Sequence, residues 1–162
     1  MKEENTYRQT IPSSTTGRYT ALTRQAKRIC DAEHEGQMDK SGVPYVFHPI
    51  HLAEQMETEE EICTALLHDV VEDTKWTLKE LEAEGFPTGV LEAVRLLTRE
   101  KDVPYMAYIE RLSGNQIARK VKLADLEHNS DLTRLIEVTE RDLRRQEKYF
   151  LAKEFLLRQE DT

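Results

Sequence analysis

The stretch LLHDVVEDT, Leu66 to Thr74, limits the possible folds more than any other part of the chain. His68, Asp69, Glu72 and Asp73 sit there among Leu66, Leu67, Val70 and Val71. If residues 62–73 are helical, each advances by about 100° around the axis. The pairs 68/72 and 69/73 then share one stripe, and the apolar residues cover the other sides. A helix apolar on most sides is normally buried. The charged stripe therefore either faces solvent or lines an internal pocket. Near a helix C-terminus three acids oppose the helix dipole, and like charges four apart cost about 0.2–0.5 kcal/mol per pair. A divalent cation offsets this by neutralising the carboxylates and taking an imidazole nitrogen as ligand.

Adjacent His68 and Asp69 cannot complete a coordination shell alone, so other segments have to contribute. Two stretches offer ligands. In YVFHPIHLAEQM, His48 immediately precedes a predicted helix. In RKVKLADLEHNSDL, Asp125 follows the apolar Val121, Leu123 and Ala124. His51 and His128 are also available, and periodicity does not choose among them.

Apolar residues recur at three- and four-residue spacing along the rest of the chain, with no sustained alternation, which predicts an all-α fold of seven to nine helices. The first spans about 20–35, with Ala21, Ala26, Ile29 and Cys30 inward, and Gly36, Gly42 and Pro44 mark the break after it. Pro49 suits the first turn of a helix over 49–57, because its missing N–H has no partner there anyway. Further helices are expected over 59–73, from Thr77 with a capping box to Glu80, from Thr88, over 104–112 and over 115–127, with one or two more to the end. The 162 residues suit one compact helical bundle with a central metal site, placed at 18–160, and a mobile polar arm over 1–17.

A formal net charge of −8 argues against non-specific nucleic-acid binding but leaves room for a small anionic ligand met by a metal and a few local cations. Cys30 and Cys63 form no C-x-x-C pattern and read as two core thiols in a reducing compartment. No apolar run approaches the ~18 residues of a membrane span, and MKEENTYRQT lacks the apolar segment of a signal peptide. A cytoplasmic protein without a membrane partner is expected.

Taken together, GQMDKSGVPYVFHP, ALLHDVVEDT and VKLADLEHNSDL resemble the HD-domain hydrolase module of the Rel/Spo alarmone enzymes and their small stand-alone hydrolases. The resemblance covers roughly residues 20–157. It implies His48, His68, Asp69 and Asp125 as ligands of one metal, Mn²⁺, with Fe²⁺ or Zn²⁺ also allowed by such ligands. It implies Glu72 and Asp73 as the pair that handles the attacking water, and the physics agrees, since a carboxylate one turn from the ligands can take or deliver a proton.

The implied reaction removes the 3′-pyrophosphate of ppGpp or pppGpp, leaving GDP or GTP. Lys40, Asn129, Arg145, Tyr149 and Lys101 match residues that contact the nucleotide. The full-length enzymes continue into a synthetase domain, and no synthetase activity is expected here. Asp39 stands where the module usually has Arg, and Leu126 and Glu127 stand where it usually reads Arg-Leu. These departures motivate an alternative substrate, another phosphorylated nucleotide such as NADPH losing its 2′-phosphate. A non-catalytic metal or nucleotide binder is a third reading, against which both Glu72 and Asp73 speak, because a pure binder needs no proton-handling pair.

Overall fold

The computed structural model describes residues 18–160, and every regular element among them is helical. The expected arm over 1–17 lies outside the described residues. The order is α1 (Ala21–Glu33), α2 (Phe47–Glu54), α3 (Glu59–Leu67), α4 (Val70–Asp73), α5 (Leu78–Ala83), α6 (Thr88–Leu97), α7 (Tyr105–Leu112), α8 (Gln116–Ser130) and α9 (Glu140–Glu160), with a 3-10 turn at Leu132–Arg134.

Helix α3 is the centre of the bundle. Every residue from Ile62 to Leu67 is buried, as a helix apolar on all sides has to be. It packs against α1, α2, α6 and α8. Its start is well specified. Thr58 accepts from the Glu61 N–H while the Glu61 side chain accepts from the Thr58 N–H, and Glu59, Glu60 and Glu61 face the positive end of the dipole. Around it lie Ala26, Ile29 and Cys30 of α1, Leu52 of α2, Val90, Ala93, Val94 and Leu97 of α6, and Val121 and Leu126 of α8. Each fully buried Leu or Ile contributes about 1.5–3 kcal/mol. Helices α8 and α9 pack together outside this layer, with Ala152 and Leu156 inward.

Three expectations change. The helix expected over 59–73 is broken after Leu67: His68 and Asp69 form a turn, and Asp69 has φ −103° and ψ −4° before α4 resumes as a single turn. Ala21 is exposed and Thr23 takes the inward place, because Thr20 caps α1 and the Thr23 hydroxyl bonds back to Arg18 O at 2.6 Å. Helix α2 begins two residues before Pro49, so His48 lies inside its first turn.

The 34–46 connection folds on itself. Asp39 N–H donates to Val43 O at 2.8 Å and Tyr45 N–H to Gln37 O at 2.8 Å, while Gly36 and Gly42 take φ of 79° and 78°, a region that favours glycine.

Candidate metal centre and adjoining cleft

The N-terminus of α2, the C-terminal end of α3 and the middle of α8 pack against one another and bring His48, His68 and Asp125 together. All three are buried, and one ligand atom from each lies within 4.8 Å of the others. His48 Nε2 is 2.8 Å from Asp125 Oδ1. His68 Nδ1 sits 2.7 Å from Ala65 O, so this nitrogen carries the hydrogen and Nε2 presents the lone pair.

That Nε2 is buried and has no hydrogen-bond partner, although Asp69 Oδ2 lies 3.1 Å away and Asp125 Oδ1 3.7 Å away. A lone pair held against two carboxylates needs a cation between them. A divalent metal fits that place and that donor set. Without one, the balance calls for a proton: burial lowers the His68 pKa, but the Asp69 and Asp125 carboxylates outweigh it and raise it well above the usual imidazole value.

Asp125 is held from several sides. Lys122 Nζ donates to its Oδ2 at 2.9 Å and Asn129 Nδ2 to its Oδ1 at 2.9 Å. Burial acts to raise its pKa, but Lys122, His48 and His68 hold it well below the carboxylate range. Asp69 stands beside the trio, and its Oδ2 accepts from the Tyr45 hydroxyl. Burial raises the Asp69 pKa while His68 and Tyr45 lower it, to about 2. On the other side of His48, its Nδ1 meets His128 Nδ1 at 2.6 Å, and the two rings stack with centroids 4.9 Å apart. Burial, Arg134 and His48 push the His128 pKa down to about 4, so a neutral His128 can accept a hydrogen from His48 Nδ1. His48, His51 and His128 also line a hollow of about 430 Å³.

The break after α3 corrects the picture of a buried acidic stripe. Asp69 is half-buried, whereas Glu72 and Asp73 on α4 are open to solvent. Glu72 Oε1 accepts from the Arg99 N–H at 2.8 Å. Both carboxyls have raised pKa values: partial burial and Asp69 act on each, with Asp73 adding to Glu72.

A cleft of about 320 Å³ adjoins the centre and gathers Lys40, Asn129, Arg145 and Tyr149 on its walls. Tyr45 and Asn129 join it to the centre through their bonds to Asp69 and Asp125. Lys40 Nζ lies 3.3 Å from Asp142 Oδ1, and Arg145 approaches the same carboxylate at 4.0 Å. Lys101 is not brought to this cleft; it lies in the exposed loop between α6 and α7.

Asp39 does not leave a bare negative charge. Its Oδ1 accepts from the Ser41 and Val43 N–H groups at 2.8 and 3.0 Å, and Arg134, another cleft residue, lies 3.7 Å from its Oδ2. Tyr45, Lys122 and Arg134 were not picked out from sequence. Lys122 had a visible signal, three residues before Asp125 on one helix face; Tyr45 and Arg134 had none, because the loops that carry them set their direction.

No family model matches the sequence. Among curated proteins, the chain is 35% identical over 121 residues to the bifunctional (p)ppGpp synthase/hydrolase SpoT of Escherichia coli strain K12, a match covering 65% of this chain and 17% of that protein. It is 36% identical over 130 residues to the guanosine-3′,5′-bis(diphosphate) 3′-pyrophosphohydrolase MESH1 of Danio rerio, covering 71% of each. A solved structure described as a metazoan orthologue of SpoT that hydrolyses ppGpp superposes with a TM-score of 0.69 at 26% identity, over 87% of this chain and 86% of that one. The chain spans about a sixth of the bacterial relatives and most of the length of the metazoan one. With His68 and Asp69 in the turn that ends α3, their partners on α2 and α8 and these relatives, the chain belongs to the Rel/Spo family of HD-domain proteins.

Proposed function

We propose that this protein hydrolyses the 3′-pyrophosphate of ppGpp or pppGpp in a manganese-dependent reaction, giving GDP or GTP and pyrophosphate. The observation that carries the reading is the buried, unpartnered His68 Nε2 facing Asp69 and Asp125, beside a cleft with cations on its walls. His48, His68 and Asp125 would hold the metal, with Asp69 as the further ligand closest to hand. When bound, a divalent metal neutralises the carboxylates and lowers the pKa of a coordinated water.

The chain's own residues do the rest. Glu72 and Asp73 are carboxyls in reach of solvent with pKa values above the ordinary range, which suits groups that take a proton from water and return it to the departing 3′ oxygen. Asn129 and Lys122 keep Asp125 oriented, and Tyr45 does the same for Asp69. Tyr149 offers a ring for the base, and Lys40, Arg134 and Arg145 offer cations for phosphates. The pairing of Asp39 with Arg134 balances the acid that stands in place of the usual cation, which supports a guanine nucleotide carrying phosphates at this wall.

Purified protein supplied with Mn²⁺ and ppGpp is expected to release pyrophosphate and GDP. His68→Ala and Asp69→Ala are expected to lose at least about 100-fold in kcat. Full activity in either variant refutes the assignment.

A further inference from the structure

A second group of cations gathers around Tyr105, at the start of α7. Lys148 Nζ lies 4.3 Å from the centre of its ring, the Arg99 guanidinium carbon 5.5 Å and Lys122 Nζ 6.0 Å. The charge of Lys122 is met by Asp125. The Arg99 side chain donates to Val103 O at 3.2 Å, and among the described residues neither Arg99 nor Lys148 has a carboxylate within 4 Å. The Tyr105 hydroxyl is buried and has no hydrogen-bond partner.

Contact with the ring face offsets part of the repulsion among these cations. It leaves two positive charges without a carboxylate and one buried hydroxyl without a hydrogen-bond partner among the described residues, in a chain whose net charge is −8. Crowding is visible at Lys148, whose pKa burial lowers and Arg99, Arg145 and Lys122 lower further.

The group is tied to the metal centre and to the cleft. The Arg99 N–H is bound to Glu72, and Lys122 is bound to Asp125. The Tyr149 ring, on the cleft wall, is 6.3 Å from that of Tyr105. An anion lodged here would touch neighbours of both the proton-handling acid and the metal ligand.

We propose that Arg99, Lys148 and the Tyr105 hydroxyl form an anion subsite for the distal phosphoryl group of the departing diphosphate. This rests on the hydrolase reading above. In that reaction a water oxygen bonds to the phosphorus carried by O3′ and the phosphorus–O3′ bond breaks. O3′ keeps the electron pair and takes a proton, and pyrophosphate leaves with the water oxygen. The distal phosphoryl group breaks no bond, yet it carries charge next to two carboxylates and needs cations of its own. The cleft cations Lys40, Arg134 and Arg145 are left for the remaining phosphates of the nucleotide. The subsite makes the enzyme prefer a 3′-diphosphate over a 3′-monophosphate.

The test has two arms. In the first, metal-stripped protein is titrated calorimetrically with inorganic pyrophosphate, so that chelation contributes nothing. Arg99→Gln/Lys148→Gln is expected to bind about tenfold or more weakly than wild type. Arg99→Lys/Lys148→Arg and, as a control on an exposed face of α5, Lys79→Gln should stay within about twofold. In the second arm, wild type with Mn²⁺ is expected to turn over ppGpp with higher kcat/KM than guanosine 5′-diphosphate 3′-monophosphate, and the double Gln variant to lose that preference. Undetectable pyrophosphate binding to wild type, or equal affinity in the double Gln variant, overturns the subsite even where ppGpp is hydrolysed. Lack of ppGpp turnover alongside weakened pyrophosphate binding in the variant would overturn the hydrolase reading and leave an anion site.

Discussion

His68 depends on both of its ring nitrogens. One is tied to the carbonyl of its own helix, which directs the other at two carboxylates. That arrangement was half legible beforehand. An imidazole and an acid side by side in an apolar run imply a buried centre, and His48 and Asp125 were among the residues that could complete it. Periodicity did not choose His48 over His51, three residues later; the resemblance of the H-P stretch did, and packing buries His48 while His51 stays exposed. Lys101 shows the limit of a motif match: a basic residue in a matching loop says nothing about which way the loop faces, and here it lies exposed between α6 and α7. The cysteines carry a residue-scale prediction. Burial and nearby acids push the Cys30 and Cys63 thiols up to about 12. On the order of 10⁻⁴ of each is then thiolate at pH 8. Native protein is expected not to react with a disulfide thiol reagent at that pH within minutes, and unfolded protein to react with two equivalents. Rapid native labelling would contradict the buried placement.

At the scale of elements, most helix starts were readable because caps are local chemistry. Thr20, Thr58, Thr77 and Asn115 each accept a hydrogen bond from the first turn of the helix that follows. The break between α3 and α4 was not readable, since a helical period continues through His68 and Asp69 without a Gly or Pro. At the break Asp69 bonds to Tyr45 and Glu72 to Arg99, tertiary contacts that a local period does not carry. Glu61 joins local and tertiary roles: it caps α3 and reaches Lys120 of α8 at 3.0 Å. Burial raises its pKa, but Lys120 and the Thr58 and Glu57 N–H groups outweigh this and lower it. A lowered folded pKa adds stability above the unfolded value of about 4.3, which is lost as pH falls through the folded value. Glu61→Gln is therefore expected to destabilise by about 0.5–1 kcal/mol at pH 7, with Lys120 partly exposed and screened. Urea denaturation at pH 7 and pH 3 is expected to show the gap closing at the lower pH; a constant gap rules out the ionised bridge as its source.

For the whole molecule, α3 holds the core and supplies His68 at the same time, so the centre and the fold are coupled. Loss of a cation would leave Asp69 and Asp125 balanced only by Lys122 and a protonated imidazole. Treating metal-loaded protein with a chelator is expected to lower Tm by about 5 °C or more, read by calorimetry. An unchanged Tm would mean that no metal bridges these helices. The amino-acid order by itself determined the all-helical class, the caps and the presence of a histidine-acid pair, because periodicity and capping act over three or four residues. The tertiary structure alone decided where α3 stops and that Tyr45, Lys122 and Arg134 meet Asp69, Asp125 and Asp39. Most of those contacts join residues far apart in the chain, and packing of the helices sets their directions.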